Sequence, residues 1–189
     1  VGDTALNRSE DLLYTLFVPD RAHFSLPLFD QPDLKATVRL DLTAPEDWRA
    51  VANGPLLDSS APDEGRWSFA ETRPIPTYLI AFAVGRFEVE QAERAGRSFT
   101  MYHRESDPER VARNRDDIFD LVAASLDWME EYTEIDYPFA KYDFVLLPSF
   151  QYGGMEHPGA VFYRQESLLL DPSAPQKSYL GRASLIAHE

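Results

Sequence analysis

The chain ends on His188-Glu189, and upstream it carries Tyr152-Gly153-Gly154-Met155-Glu156-His157-Pro158-Gly159. A His followed by a Glu near the end of an amphipathic helix could serve metal-assisted hydrolysis. Two His at i and i+4 share a helix face and bind zinc. The Glu after the first can then take a proton from water, whose pKa zinc lowers to about 7. The i+4 partner of His188 would lie outside the 189 residues. By itself the pair is a weak signal and reads as a partly exposed helix end. The glycine stretch offers a different chemistry. Adjacent glycines let a second backbone approach closely, as addition of a peptide strand requires, and a carboxylate beside that edge could hold a free α-amine. By itself it reads as a glycine bulge with a solvated Glu. No Ser-His-Asp order and no phosphate loop is visible in the sequence.

The elements that must position these residues change character along the chain. Ala36, Val38, Leu40 and Leu42 alternate with polar residues, the period of a half-buried strand. Asp58 to Gly65, rich in Ser, Asp and Gly, predicts an exposed loop, followed by a strand with Trp67 and Phe69. Thr77 to Val84 is almost continuously apolar and predicts a strand covered on both faces. Short strands with regular turns predict an antiparallel sandwich or saddle for this half. Phe99, Met101 and His103 alternate along one more strand. Ser106-Asp107-Pro108-Glu109 then predicts a helix start with a capping box and Pro in the first turn. Ile118, Leu121, Val122, Leu126 and Met129 are spaced as its buried stripe, and Tyr137-Pro138 closes that region. Tyr142 to Leu147 and Ala160 to Tyr163 predict strands on either side of the glycine stretch. Ser178 to Glu189 predicts a helix with Tyr179, Ala183 and Ile186 on one face. A boundary between the halves is expected near residues 86 to 97, where Gly96 and mixed charges interrupt the apolar pattern.

Composition narrows the classes. At 44% hydrophobic residues the chain can build a real core. A formal charge of −14 argues against nucleic acid and against an anionic membrane surface, both of which need clustered Lys and Arg. The absence of Cys excludes disulfides, thiolate zinc sites and cysteine nucleophiles within this span. The longest apolar run is too short to cross a bilayer. Val1-Gly2-Asp3 is neither a signal peptide nor a natural start, and the last helix meets no stop signal, so the chain reads as an internal segment.

Taken in order, four blocks carry a resemblance. Gly153-Gly154-Met155-Glu156, upstream of His188-Glu189, resembles the G-x-M-E-N and H-E-x-x-H motifs of the gluzincin zinc aminopeptidases, the aminopeptidase N-like family. Leu26-Pro27-Leu28-Phe29-Asp30-Gln31-Pro32-Asp33-Leu34-Lys35-Ala36 is similar to that family's F-P-C-F-D-x-P-x-x-K-A block. The stretch Pro74-Ile75-Pro76-Thr77-Tyr78-Leu79-Ile80-Ala81-Phe82-Ala83-Val84-Gly85 is similar to its P-M-S-T-Y-L-x-A-F-x-V-G block. Tyr137-Pro138 with Lys141, Asp143 and Pro148 follows its Y-P-x-x-K-x-D-x-x-x-x-P pattern. The resemblance covers essentially the whole chain.

The resemblance implies a mixed α+β chain. Residues 1–88 would be the C-terminal part of an N-terminal antiparallel β-saddle or sandwich domain, and 89–189 the start of a thermolysin-like catalytic domain. His188 would be the first zinc ligand and Glu189 the general base. Glu156 would hold the free N-terminus of a peptide substrate, with Gly153, Gly154 and Met155 lining the cleft and Tyr152 bordering the first side-chain pocket. His157 stands where the motif has Asn, and apolar Leu16 and Val18 stand near the place of a second amine contact in some relatives. The second zinc His, the Glu ligand and a transition-state Tyr are expected outside these residues. The 189 residues alone are therefore expected neither to hold zinc tightly nor to hydrolyse peptides. A non-catalytic relative acting as a binding or scaffold module is the alternative, and an added activity such as epoxide opening a third reading. His23 and His103 read as structural.

Overall fold

Leu12, Tyr14 and Thr15 are all buried, which suits a strand inside a sheet rather than at its edge. In the computed structural model, which describes residues 5–58 and 60–189, two units are distinguished. The first holds the chain up to Phe87 together with His157–Ala160. In it β1 (Leu6–Ser9), β2 (Leu12–Thr15), β4 (Arg49–Ala52) and β6 (Phe82–Gly85) form an antiparallel sheet in the order β1-β2-β6-β4. The antiparallel pair of β3 (Leu40–Thr43) and β5 (Arg66–Phe69) forms a separate two-stranded sheet. Ala50, Ala52, Trp67, Phe69 and Val84 form the core between them, with Leu13, Leu40 and Leu42 packed against it. A fully buried side chain of this size contributes roughly 1.5–3 kcal/mol. The antiparallel sandwich expected for this half is what forms.

Three expectations for this unit need correction. The strand expected from Ala36 is interrupted: Ala36 bridges to Ile75, the Val38 N–H is taken by the Thr72 hydroxyl at 3.0 Å, and the continuous ladder begins at Leu40. The apolar run from Thr77 opens as a 3₁₀ turn, Thr77–Leu79, and becomes strand only at Phe82. Side chains replace the missing ladder there. Asn53 accepts from the Ala81 N–H (2.7 Å) and donates to the carbonyls of Leu79 and Pro158, both at 3.0 Å. Finally, the segment from Asp58 to Gly65 is not uniformly exposed. Pro62–Glu64 is a 3₁₀ turn, and buried Gly65 has φ 69°, a conformation that only a residue without Cβ takes easily. Ser59 of that segment lies outside the described residues.

The second unit, Glu88–Glu156 with Val161–Glu189, combines five strands with three helices among the described residues. Its strands are β7 (Glu88–Arg94), β8 (Arg97–His103), β9 (Tyr142–Leu147), β10 (Gly154–Met155) and β11 (Ala160–Arg164), in the order β10-β11-β9-β8-β7. Ala95 and Gly96, both at positive φ, turn the β7–β8 hairpin. α1 (Pro108–Thr133) is the crossover that lets β8 and β9 run parallel. Its cap is Asp107, one residue later than the expected capping box, because the Asp107 carboxylate accepts from the N–H groups of both Glu109 and Arg110. Ile118 and Val122 are buried as expected, whereas Met129 is 41% exposed. Phe99, Met101, Ile118, Phe119, Phe144, Leu146, Tyr163 and Leu168 fill the core. α2 (Gln165–Leu168) leads to α3 (Gln176–His188). The buried face of α3 is carried by Arg182 and Ile186, while Tyr179, expected on that face, is 39% exposed. Among the described residues no helix is long and apolar enough to cross a membrane.

Candidate active site

The blocks spread along the sequence meet within each unit. Asp30 accepts hydrogen bonds from the Thr77 hydroxyl (2.6 Å), the His23 N–H (3.0 Å) and the His23 ring (2.9 Å), so the first two blocks are locked together. Burial opposes ionisation of Asp30, but these bonds outweigh it and hold its carboxyl below the usual range. His23 is thus a structural partner. His103 is buried, and its Nδ1 accepts from the Glu105 N–H at 3.2 Å. Lys141 and Asp143 pair at 2.7 Å. Leu16 lies in the core, 2% exposed.

Glycines at 153 and 154 were expected to admit a second backbone, and the first element to use that space is α3 itself. A Cβ on Gly153 would lie 3.1 Å from Leu185, and one on Gly154 would overlap the Glu189 side chain. Leu185 and Glu189 are four apart and share a helix face. The two glycines therefore seat β10 against the last turn of α3. Met155 is buried, pairs with Phe162 and anchors the strand. The loop before it is held by Arg164, which donates to the carbonyls of Phe150 (2.9 Å) and Gln151 (2.8 Å). Tyr152 is 40% exposed and packs edge-on against Phe150. β10 ends the sheet, so its other edge has no strand partner among the described residues.

Two carboxylates lie close to β10: Glu156 follows it directly, and Glu189 lies against Gly154. Glu156 is exposed, and Glu189 is half-buried. Burial first, then the Glu156 charge, pushes the Glu189 carboxyl up to about 7, against a smaller opposing pull from His188. His188 is exposed beside it. Beneath lies a hydroxyl pair that sequence reading missed, Tyr142 and Tyr163, 3.3 Å apart and buried. Burial pushes the Tyr142 hydroxyl up to about 12. Strand alternation marks both as inward-facing but gives no sign that their hydroxyls meet.

His157, where the motif has Asn, is fully buried, and burial pulls its imidazole down to about 3. The unfolded chain, with an ordinary His near 6.5, binds the proton more tightly. This contribution to stability is therefore intact above about pH 6.5 and is lost as pH falls from there toward 3. Urea unfolding should show about 2 kcal/mol lost between pH 7 and pH 5 through this group. In His157→Asn that part of the slope should vanish. Identical pH slopes for the two proteins would refute the assignment.

Comparison with known proteins adds to this geometry. The Peptidase M1 N-terminal domain profile matches residues 4–79, and the Peptidase family M1 domain profile matches residues 118–189. Aminopeptidase N of Streptomyces lividans is 36% identical over 182 residues, 94% of this chain and 20% of that protein. Human glutamyl aminopeptidase is 33% identical over 175 residues, 90% of this chain and 18% of that protein. Human endoplasmic reticulum aminopeptidase 1 is 32% identical over 182 residues, 94% and 19% respectively. The chain thus spans about a fifth of the length of these curated relatives. Two profiles of one peptidase family, in order and together spanning more than half of the sequence, agree with the mixed α+β fold and with the Gly-Met-Glu and His-Glu elements: this chain belongs to peptidase family M1.

Proposed function

We propose that the longer protein containing this chain is a zinc-dependent aminopeptidase that removes N-terminal residues from peptides. The observation that carries the reading is that Glu189 lies against Gly154 and within the field of Glu156, at a strand whose other edge has no strand partner among the described residues. In this reading residues 1–88 belong to the N-terminal β-saddle domain and 89–189 open the thermolysin-like peptidase domain. The substrate lies extended along β10 at Gly153, Gly154 and Met155, with its first side chain toward Tyr152. Its α-ammonium pairs with Glu156, which limits cleavage to the first peptide bond. Glu189 accepts a proton from the attacking water and passes it to the departing amine, as the C–N bond breaks and the water oxygen joins the carbonyl carbon.

His188 is the zinc ligand this chain contributes. Its exposed imidazole suits zinc as a donor. Zinc, when bound, supplies a Lewis acid and acidifies water to a pKa of about 7. Among the described residues no group of three His, Cys, Asp or Glu could hold a metal ion. Because one His cannot replace three protein ligands, the 189 residues by themselves are expected to bind zinc weakly and to leave peptides intact. A tight equimolar zinc complex in calorimetry, or turnover by the pure chain, would contradict this.

The function is tested with the longer protein, on an aminoacyl nitroanilide and its N-acetylated counterpart, with and without a zinc chelator. Chelator-sensitive cleavage of the unblocked substrate alone is expected. Cleavage of both would remove Glu156 from its role, and cleavage of neither would favour a binding or scaffold module.

A further inference from the structure

Arg182 is only 3% exposed, in a helix whose other fully buried residue is Ile186. Its Nη1 donates to Asn114 Oδ1 at 2.8 Å and to the Leu168 carbonyl at 3.3 Å, and its Nη2 donates to Asp117 Oδ2 at 2.9 Å. Asn114 is equally buried and fully engaged. Its Nδ2 donates to the carbonyls of Arg110 and Leu170, both at 2.9 Å, and its Oδ1 also accepts from the Leu170 N–H at 3.1 Å. One polar knot therefore ties α3 to α1 and to the chain at 168–170.

Stability alone does not account for this choice. Apolar side chains of similar volume often hold buried helices as well as a charged cluster, or better. Arg182 Nε has no partner among the described residues, so the knot is not even completely satisfied. A planar guanidinium supplies direction instead, because its donors are fixed in a fork and meet three acceptors at only one rotation and one height of the helix. Glu189 follows seven residues later, about two turns on, and so lies on the same face about 10 Å along the axis. Between them on that face, Leu185 rests against Gly153.

We infer that Arg182 is a positioning residue, whose bridge to Asn114, Asp117 and the Leu168 carbonyl sets the rotation of α3 and thereby aims Glu189 at the Gly154 edge. Its kinetic consequence rests on the aminopeptidase reading above. A carboxylate displaced by about 1 Å can cost up to a hundredfold in rate.

The test uses the longer protein with Arg182→Met, alone and combined with Glu189→Gln. The expected result is a kcat about tenfold lower or more, KM within about twofold, and no further loss when Glu189→Gln is already present. An unchanged kcat, or losses that simply multiply in the double variant, overturns the inference. If Arg182→Met does not fold, Arg182→Lys is read in the same way. Lys retains the charge but presents no fork to the three acceptors. If the unaltered protein shows no aminopeptidase activity, the functional reading fails and hydrogen exchange decides this one. Amides in the last turn of α3 exchanging about tenfold faster in the variant, with α1 unchanged, support it, and unchanged exchange there overturns it.

Discussion

On the aminopeptidase reading, Glu189→Gln in the longer protein is expected to lower kcat about a thousandfold while KM moves by less than about threefold. Gln matches Glu in size, so it can still lie against Gly154, where a Cβ would overlap the native side chain. What it loses is the capacity to accept and return a proton. General acid–base groups contribute typically about 10²–10⁴-fold, and an upward-shifted carboxyl near neutrality belongs in the effective part of that range. A group that acts only in the transition state lowers kcat and kcat/KM together, and that pattern separates a base from a binding contact. Steady-state kinetics on purified protein provides the measurement. A variant that keeps more than a tenth of the parent kcat would mean that the base is elsewhere.

Glu156→Ala has the second large effect, and a different signature. It lowers kcat/KM about thirtyfold for substrates with a free α-amine, mostly through KM. Hydrogen bonds to charged groups contribute about 1.5–3 kcal/mol, and about 2 kcal/mol corresponds to that factor. The exposed position of Glu156 argues for a value inside this range rather than at its top. Glu156→Gln, which can still accept from an ammonium group, should fall between parent and Ala. Because the proposed contact is to the amine, the variant should also discriminate less between free and N-acetylated substrates. Equal losses on both substrate types would assign Glu156 to the structure of the strand edge instead.

Much of the architecture could be read from the chain because it rests on local periodicity. Phe99, Met101 and His103 alternate into the core along β8, and Tyr142–Leu147 is a strand with the expected bounds. The Tyr-Pro, Lys and Asp block, the proline-rich block and the Gly-Met-Glu and His-Glu elements pointed to family M1, to which the chain belongs. Local signals failed where a distant side chain took over a backbone bond. Asn53 holds the backbone at Leu79 and Ala81 and so keeps the apolar run from forming a continuous strand. No window of neighbouring residues contains that information.

The candidate site divides along the same line. Residue types and order determined which groups could do chemistry: Glu156, His188 and Glu189, with a glycine pair beside them. Only the tertiary structure decided that α3 occupies the space left by those glycines, that Glu189 is desolvated next to Glu156, and that His157 is buried as a neutral imidazole. It also revealed Arg182 on the buried face of α3, where helical periodicity leads one to expect an apolar residue. The physical reason is range. Hydrophobic alternation and caps act over a few residues, whereas desolvation, charge proximity and buried hydrogen bonds depend on atoms brought together only when the chain has folded.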